Sequence, residues 1–387
     1  MDLDRVVRTF HPIGQGAFYS ERFYLDSDLT RNVVFDCGVL EVDARSKNVV
    51  KQAFSKDDII DYLFISHLDE DHISLVTTLR DSVKFIRNVV LPYIGINEAL
   101  IQKMLSQALG MKEVYAFWSD VYDELNGRRF DTRYHFVASE IDGRTLQTRV
   151  ESGHRFDISA IPEWVFIPFC RHIERKPELE TNLEELLADI VFQEALKKDH
   201  IVINSVEELK SKISNGDFAD LISNRVIKKG LQKAYKNLTE GINRNSLLVY
   251  SGPTRWPLTV GSVNSRDEMK WWCRDSRSSS MSQLACLYTG DGDFDMRGYK
   301  LLLGGMWRAV GTIQLPHHGS LSSFCFDRNS DSDLYAGVYY RFPISCGEKN
   351  HYGHPSGKVL SYLRYVNTIP IIITESASTI YEQVLSL

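Results

Sequence analysis

Between Ser66 and His72 the chain reads SHLDEDH, and four ligand-type side chains fall within six residues: His67, Asp69, Asp71 and His72. Imidazole nitrogens and carboxylate oxygens hold Zn, Mn, Fe or Mg at about 2.0–2.2 Å. An H-x-D-x-D-H run on a loop can aim alternate side chains at one point and the last two at a neighbouring point. The bland alternative is a polar loop that collects histidines and aspartates by chance. Its position directly after the apolar run LFIS argues against that, because loops at the ends of buried strands are where α/β proteins build sites.

Three further stretches carry groups of the same kind. LYTGDGD (287–293) ends an apolar run in a Thr-Gly turn and presents Asp291, with Asp293 as the alternative. Turns favour Gly and Asp for backbone reasons, so the stretch speaks only beside a metal loop. There, a carboxylate at a strand end can bridge two ions about 3.5–4 Å apart. In QLPHHGS (314–320) the adjacent His317 and His318 point in roughly opposite directions. The glycine that follows allows close backbone approach, which favours His318 as a ligand and leaves His317 facing substrate or supporting the ligands. A buried structural histidine pair is the plainer reading. In NHYGHPS (350–356), His354 and Ser356 stand at the opening of the last helix. A helix N-terminus suits an anion such as phosphate, and a simple helix cap with a surface histidine fits the same residues equally well.

The elements that must position these groups are legible in outline. Gly-rich turns between VVRTFHPI, FYSERFYL and NVVFDCG predict an antiparallel start to a sheet. SKDDIIDYLFIS predicts a short helix or turn leading into a buried strand, and KFIRNVVLPY another strand. NEALIQKMLSQALGM has the three-and-four spacing of an amphipathic helix. RYHFVAS, TLQTRV, RFDISAI and WVFIPF read as short strands. Residues 173–242 are rich in Glu, Lys and Leu and read as two or three helices, either a solvated insertion or a lid or partner-docking surface. Strands resume with NRNSLLVYSG, LACLYTGD, VGTIQLP, VYYRFPIS and IPIIIT, with helices near 295–308 and in HPSGKVLSYLRYV. Strand–helix–strand order on both sides of the insertion predicts a layered α/β sandwich. That gives one domain of 1–172 and 243–387, interrupted by 173–242.

Bulk properties narrow the function classes. At 387 residues, 43% hydrophobic and 25% charged, the chain can bury a sizeable core. A net charge of −6 argues against a broad basic surface for long duplex DNA and leaves room for a short or local groove. The tract Thr254 to Arg277 mixes Trp256, Trp271 and Trp272 with Arg255, Arg266, Lys270 and Arg274. Such residues stack bases and neutralise phosphates, and they also occur in an ordinary hairpin. Six cysteines without CxxC spacing form neither a disulfide framework nor a zinc knuckle. No signal-like or membrane-spanning apolar run occurs, so a cytoplasmic protein without membrane contact is expected.

In this order, the blocks resemble the metallo-β-lactamase superfamily. They are most similar to the metallo-β-lactamase-like domain of bacterial DNA-uptake channel (competence) proteins and their soluble relatives. The matching pieces are Gly14-Gln15-Gly16, Asp36-Cys37-Gly38, Ser66 to His72, Asn243 to Leu247, Thr289 to Asp291, Pro316 to Ser320 and Gly353 to Ser356. They cover about half of the chain with their flanking strands. Ala17 stands where the early turn usually carries an acidic residue, the superfamily's third-motif histidine is missing, and residues 173–242 replace a short loop. His172 lies just before that insertion with no spacing that demands it as a substitute.

The resemblance implies an αββα sandwich and a metal-dependent hydrolase, a phosphodiesterase or nuclease above all. It implies two divalent ions, Zn or Mn with Mg as a further choice. Site one would be His67, Asp69 and Asp291; site two would be Asp71, His72, Asp291 and His318. Asp71 would act as ligand or as base, and His317 or His354 would stabilise charge or protonate the leaving oxygen. Asp69 in place of a histidine makes site one harder and more anionic, which shifts preference toward Mn or Mg. The expected partner is a phosphodiester, nucleic acid included, with a protein partner for the 173–242 helices. Two rivals stay open: a small-molecule hydrolase acting on a cyclic nucleotide, phosphocholine ester or lactone, and a metal-binding regulatory protein.

Overall fold

Short runs rich in Val, Ile, Phe and Tyr, separated by Gly and Asp turns, assemble into two mixed sheets. The structure, a computed structural model, describes residues 3–26, 29–108, 110–128, 130–138, 148–170, 178–214, 223–231, 233, 246–254, 262–265, 283–324, 340–366 and 368–386. The first sheet holds β1 (Leu3–Phe10), β2 (Phe18–Leu25), β3 (Thr30–Cys37), β4 (Ile59–Phe64), β5 (Phe85–Pro92), β6 (Arg133–Ala138) and β7 (Arg149–Glu151). On its other edge lie β10 (Ser262–Ser265) and β15 (Tyr381–Ser386), in the order β10-β15-β1-β2-β3-β4-β5-β6-β7. The start is antiparallel, as the turns predicted, and from β3 to β7 the strands run parallel. The second sheet runs β14 (Ile369–Ile373), β13 (Arg341–Ser345), β12 (Val310–Ile313), β11 (Ala285–Tyr288), β9 (Leu248–Pro253), β8 (Trp164–Phe169). Its first four strands are parallel.

Alternation along the strands builds the layers. In β3, Val33 and Phe35 face the second sheet while Val34 faces helices; in β4, Phe64 and Leu63 divide in the same way. Between the sheets an aromatic core forms, with Phe35 stacked on Tyr288 at 3.6 Å and Phe23 edge-on to Phe166. Outside the first sheet pack α1 (Ala44–Ala53), α3 (Val76–Ser82) and α5 (Lys112–Leu125). Outside the second pack α9 (Met296–Leu303) and α10 (Gly357–Tyr365). The α/β fold is therefore an αββα sandwich, as expected.

A buried polar network also ties the sheets together. Arg8 donates to Glu21 Oε1 at 2.7 Å, to Gln383 Oε1 at 3.0 Å and to Leu284 O at 3.1 Å. Tyr288 and Ser251, from the opposite sheet, donate their hydroxyls to Glu21.

Some local expectations fail. RFDISAI is not a strand: it makes a single bridge, Phe156 to Phe166, because the backbone turns back on itself from Ile158 to Ile161 and again from Ile161 to Trp164. The helix α5 and the closing strand β15 were not expected from the sequence. Within 173–242, α6 (Glu178–Ala188), α7 (Ile190–Lys198) and α8 (Val206–Ser214) are helical. They share a cluster of Leu183, Phe192, Leu196 and Leu209 with Leu105 of α4 (Ile96–Ala108). The Trp- and Arg-containing part of 254–277 and His172 lie outside the described residues. No described helix is long and apolar enough to cross a membrane.

Candidate metal centre

Parallel strands present their carboxyl ends together, and here both sheets do so at one edge, the place where open α/β sheets build sites. The loop after β4 carries Ser66, His67 and Asp69, then α2 (Glu70–Ile73), which brings Asp71 and His72. The turn after β11 supplies Asp291, and the loop after β12 supplies His317 and His318. Asp69 occupies the N-cap position of α2, yet its carboxylate makes no capping bond.

Two overlapping groups of ligand atoms result. Asp71, His72, Asp291 and His318 form one; His67, Asp69 and Asp71 form the other, with the atoms of each within 4.8 Å of one another. His318 Nε2 lies 3.1 Å from Asp71 Oδ2, and His72 Nε2 lies 3.3 Å from Asp291 Oδ1. His67 Nε2 lies 3.8 Å from Asp69 Oδ2 and 3.9 Å from Asp291 Oδ2. Asp71 thus belongs to both groups, whereas the sequence suggested Asp291 as the shared carboxylate. Asp293 stays out of the cluster, and its carbonyl accepts from Tyr299 Oη.

The imidazoles are aimed by bonds at their other nitrogen, the usual device for orienting a ligating histidine. His67 Nδ1 donates to Ser66 Oγ at 3.0 Å, which in turn donates to Asp36 Oδ2 at 2.8 Å. His72 Nδ1 donates to Asp36 Oδ2 at 2.9 Å, and His318 Nδ1 to Ser345 O at 2.8 Å. Each leaves Nε2 facing the cluster. His67 Nε2, His72 Nε2 and Asp291 Oδ1 are buried without a hydrogen-bond partner. Orphaned polar atoms are costly in a protein interior; His72 Nε2 and Asp291 Oδ1 fall in one of the two groups and His67 Nε2 in the other, as divalent cations at the cluster would use them.

Electrostatics point the same way. Burial opposes charge on His72, but Asp36, Asp291 and Asp71 outweigh it and raise its pKa well above the ordinary value. His318 is raised likewise against burial, by Asp291 and Asp71. Burial, then Asp71, pushes the Asp69 carboxyl well above its usual range. His67 is lowered to about 4 by burial and by His72. Burial would raise Asp291, yet His72 and His318 hold it well below the carboxylate norm. Carboxylates outnumber the charges that balance them, and the cluster draws protons onto imidazoles where a metal would supply positive charge.

Asp36 is the functional residue that sequence reasoning passed over as part of a turn motif. It is buried, accepts from Ser66 N at 2.7 Å, and orients two ligand histidines. Its φ of 54° is left-handed, as are those of His317 at 49° and His318 at 54°. Such backbone is uncommon outside glycine and gathers at functional sites. The signal was an aspartate near the end of a buried strand, two residues before a glycine. That glycine is fixed by crowding: a Cβ on Gly38 would lie 2.6 Å from the backbone of Asp71 and His72. Gln314 was also missed; its side-chain oxygen accepts from Thr289 N and Gly290 N and so shapes the turn that presents Asp291.

No family model matches this sequence, and no curated protein matches it. Among solved structures it is similar to a long form RNase Z from yeast. That likeness has a TM-score of 0.36 and 10% identity, over 87% of this chain and 36% of that one. The chain thus spans little more than a third of that structure's length.

Two sequence-proposed residues line the rim. His317 is about a quarter exposed, with Nε2 3.9 Å from Asp291 Oδ2 and Nδ1 2.8 Å from Ser323 Oγ. The ring of His354 stands 5.7 Å from that of His317, one step further out, on a loop closed by Asn350. Burial, with His318 and His317 nearby, lowers His354 to about 4, so its ring is neutral at pH 7.

Proposed function

We propose that the protein is a metal-dependent hydrolase of the metallo-β-lactamase type acting on phosphodiesters. One observation carries the reading: six side chains from three loops, His67, Asp69, Asp71, His72, Asp291 and His318, converge with orphaned ligand atoms at the joint edge of two sheets. Asp71, His72, Asp291 and His318 would hold one ion, and His67, Asp69 and Asp71 a second, with Asp291 close enough to contribute. Divalent ions bound there would lower the pKa of water toward about 7 and neutralise phosphate charge. The protein's own part is positional. Asp36, Ser66 and Ser345 keep the Nε2 atoms turned inward. His317, tethered through Nδ1 to Ser323, presents Nε2 at the rim, where it can hold a proton for the leaving oxygen. His354, neutral, can donate a hydrogen bond to a phosphate oxygen but carries no charge to it.

An acidic ligand set favours hard ions, so Mn²⁺ ranks beside Zn²⁺, with Mg²⁺ next. The test is turnover of bis-p-nitrophenyl phosphate by purified protein supplied with Mn, Mg, Zn, Ni or Co, alongside elemental analysis. Metal-dependent turnover that is lost when Asp71 and His72 are both replaced by alanine supports the reading. Turnover unchanged in that double variant sinks it, and bound metal with no turnover favours a binding protein.

A further inference from the structure

Beside the metal centre lies a cavity of about 820 Å³ whose described lining includes Leu321, Phe324, Lys358, Ser361, Tyr362 and Tyr365. Its two walls start at the two rim histidines. One is the short 3-10 segment Leu321–Ser323, held to His317 through the Ser323 hydroxyl. The other is α10, which begins three residues after His354 and is joined to the first wall by Ser356 N donating to Gly319 O at 3.0 Å. The cavity is therefore walled by the segments that follow the two rim histidines, whose rings stand 5.7 Å apart. From Gly357 to Tyr365 the helix extends about 12 Å at 1.5 Å per residue, longer than one nucleoside needs.

The lining selects the occupant. Phe324 and Tyr362 meet edge to face at 5.5 Å and form an apolar floor. Tyr365 is 75% exposed at the outer end of the lining helix, and Lys358 and Ser361 are exposed along the same helix. Aromatic faces stack bases, and lysine pairs with backbone phosphates. A lysine on the wall repels a quaternary ammonium headgroup. A single lysine among the described lining residues of an acidic protein suits a single strand and not a duplex, which needs many phosphate contacts.

We propose that this cavity holds a single nucleic-acid strand flanking the cleaved phosphate, with a base on Tyr365 and a phosphate at Lys358. The inference rests on the phosphodiesterase reading and names its substrate class.

The experiment compares metal-loaded wild type, Tyr365→Ala and Lys358→Ala on three substrates: methyl p-nitrophenyl phosphate, too small to reach the cavity, and hexamers of thymidylate and uridylate. Tyr365→Ala is expected to raise KM for the hexamers about 10-fold, with kcat within about twofold. Lys358→Ala is expected to raise it too and to flatten its salt dependence. The methyl ester should not distinguish the three proteins, and the better hexamer separates DNA from RNA. Hexamer cleavage untouched by either substitution overturns the cavity assignment while the phosphodiesterase reading stands. So does a wild type that cleaves the methyl ester and neither hexamer. If the wild type cleaves nothing, the phosphodiesterase reading fails, and fluorescence anisotropy of labelled hexamers decides the cavity. Binding weakened about 10-fold by Tyr365→Ala keeps it; absent or unaltered binding ends it.

Discussion

Replacing Asp36 by asparagine isolates one step in the logic of the metal centre. Asparagine has the same shape and tolerates the left-handed backbone that Asp36 adopts at φ 54°, so the turn survives. Its Oδ1 still accepts the Ser66 N–H that Asp36 accepts at 2.7 Å. At the other position an amide NH₂ replaces Oδ2, the atom that receives His72 Nδ1–H at 2.9 Å and Ser66 Oγ–H at 2.8 Å. His72 can keep a hydrogen bond there only by turning Nδ1 into the acceptor, which moves the ring proton to Nε2. That nitrogen lies 3.3 Å from Asp291 Oδ1 and is the atom offered to an ion. A protonated Nε2 cannot ligate, and the Ser66 hydroxyl, having lost its acceptor, no longer fixes His67. Loss of an outer partner of this kind lowers metal affinity about 10- to 100-fold, or about 1.4–2.8 kcal/mol. The assay is competition for Mn²⁺ and Zn²⁺ against a fluorescent chelator, read beside the Tm gain that saturating metal gives. Affinity within about twofold of wild type, with the fold intact, would refute the claim that Asp36 sets the His72 tautomer.

Further outcomes follow from other parts of the structure. His72 and His318 have raised pKa values in the folded chain, and Glu70 is raised to about 7 by burial and Asp71. His11, His67, His135 and His354 are lowered and act in the opposite direction up to about pH 7. Above about pH 7.5 they are neutral in both states, so there the Tm of metal-free protein should fall as pH rises through the raised values, and saturating metal should flatten that slope. A metal-free Tm that rises across this window contradicts the assignment. Glu21→Gln leaves the Arg8 guanidinium buried between the sheets without its counter-charge, at an expected cost of about 3–5 kcal/mol in urea unfolding; a loss under about 1 kcal/mol shows the pair to be dispensable. His317→Ala should lower phosphodiester turnover by about 10²–10⁴ with metal content unchanged, whereas His318→Ala should lower the metal content itself. Elemental analysis of both variants separates the two roles.

The candidate centre was legible in the sequence because its ligand-type residues sit at strand ends in short motifs. SHLDEDH, TGD and PHHGS each combine a buried run with a residue type that has little reason to be there otherwise. The sandwich was legible for a related reason: strands covered on both faces read as unbroken apolar runs such as NVVFDC and ACLY. The sequence signals failed where meaning is set by distant partners. Nothing local in YEQVLS says that β15 pairs with β1 across almost the whole chain. RFDISAI alternates like a strand but finds a partner only at Phe156. Asp36 and Gln314 acquire their roles from loops about 30 and 25 residues away in sequence, so only the fold shows what they hold.

The same separation bears on why a carboxylate suits position 69, where the motif that the sequence resembles has a histidine. An imidazole at that position would need a fixed Nδ1 partner, as His67, His72 and His318 each have in Ser66, Asp36 and Ser345. Asp69 sits at the N-cap of α2, with its backbone carbonyl accepting from His72 N at 3.0 Å, and a carboxylate there has two equivalent oxygens and no tautomer to fix. The exchange adds negative charge to a cluster that already holds Asp71, Asp291 and the Asp36 carboxylate behind it. An anionic phosphodiester could approach so acidic a pocket only once positive charge has been supplied. Of the rim histidines, His354 is neutral at pH 7, and Lys358 stands further out, on α10. In the proposed reaction, metal loading therefore precedes substrate binding, and the ligand set that makes the ions hard to dispense with also selects the harder ones.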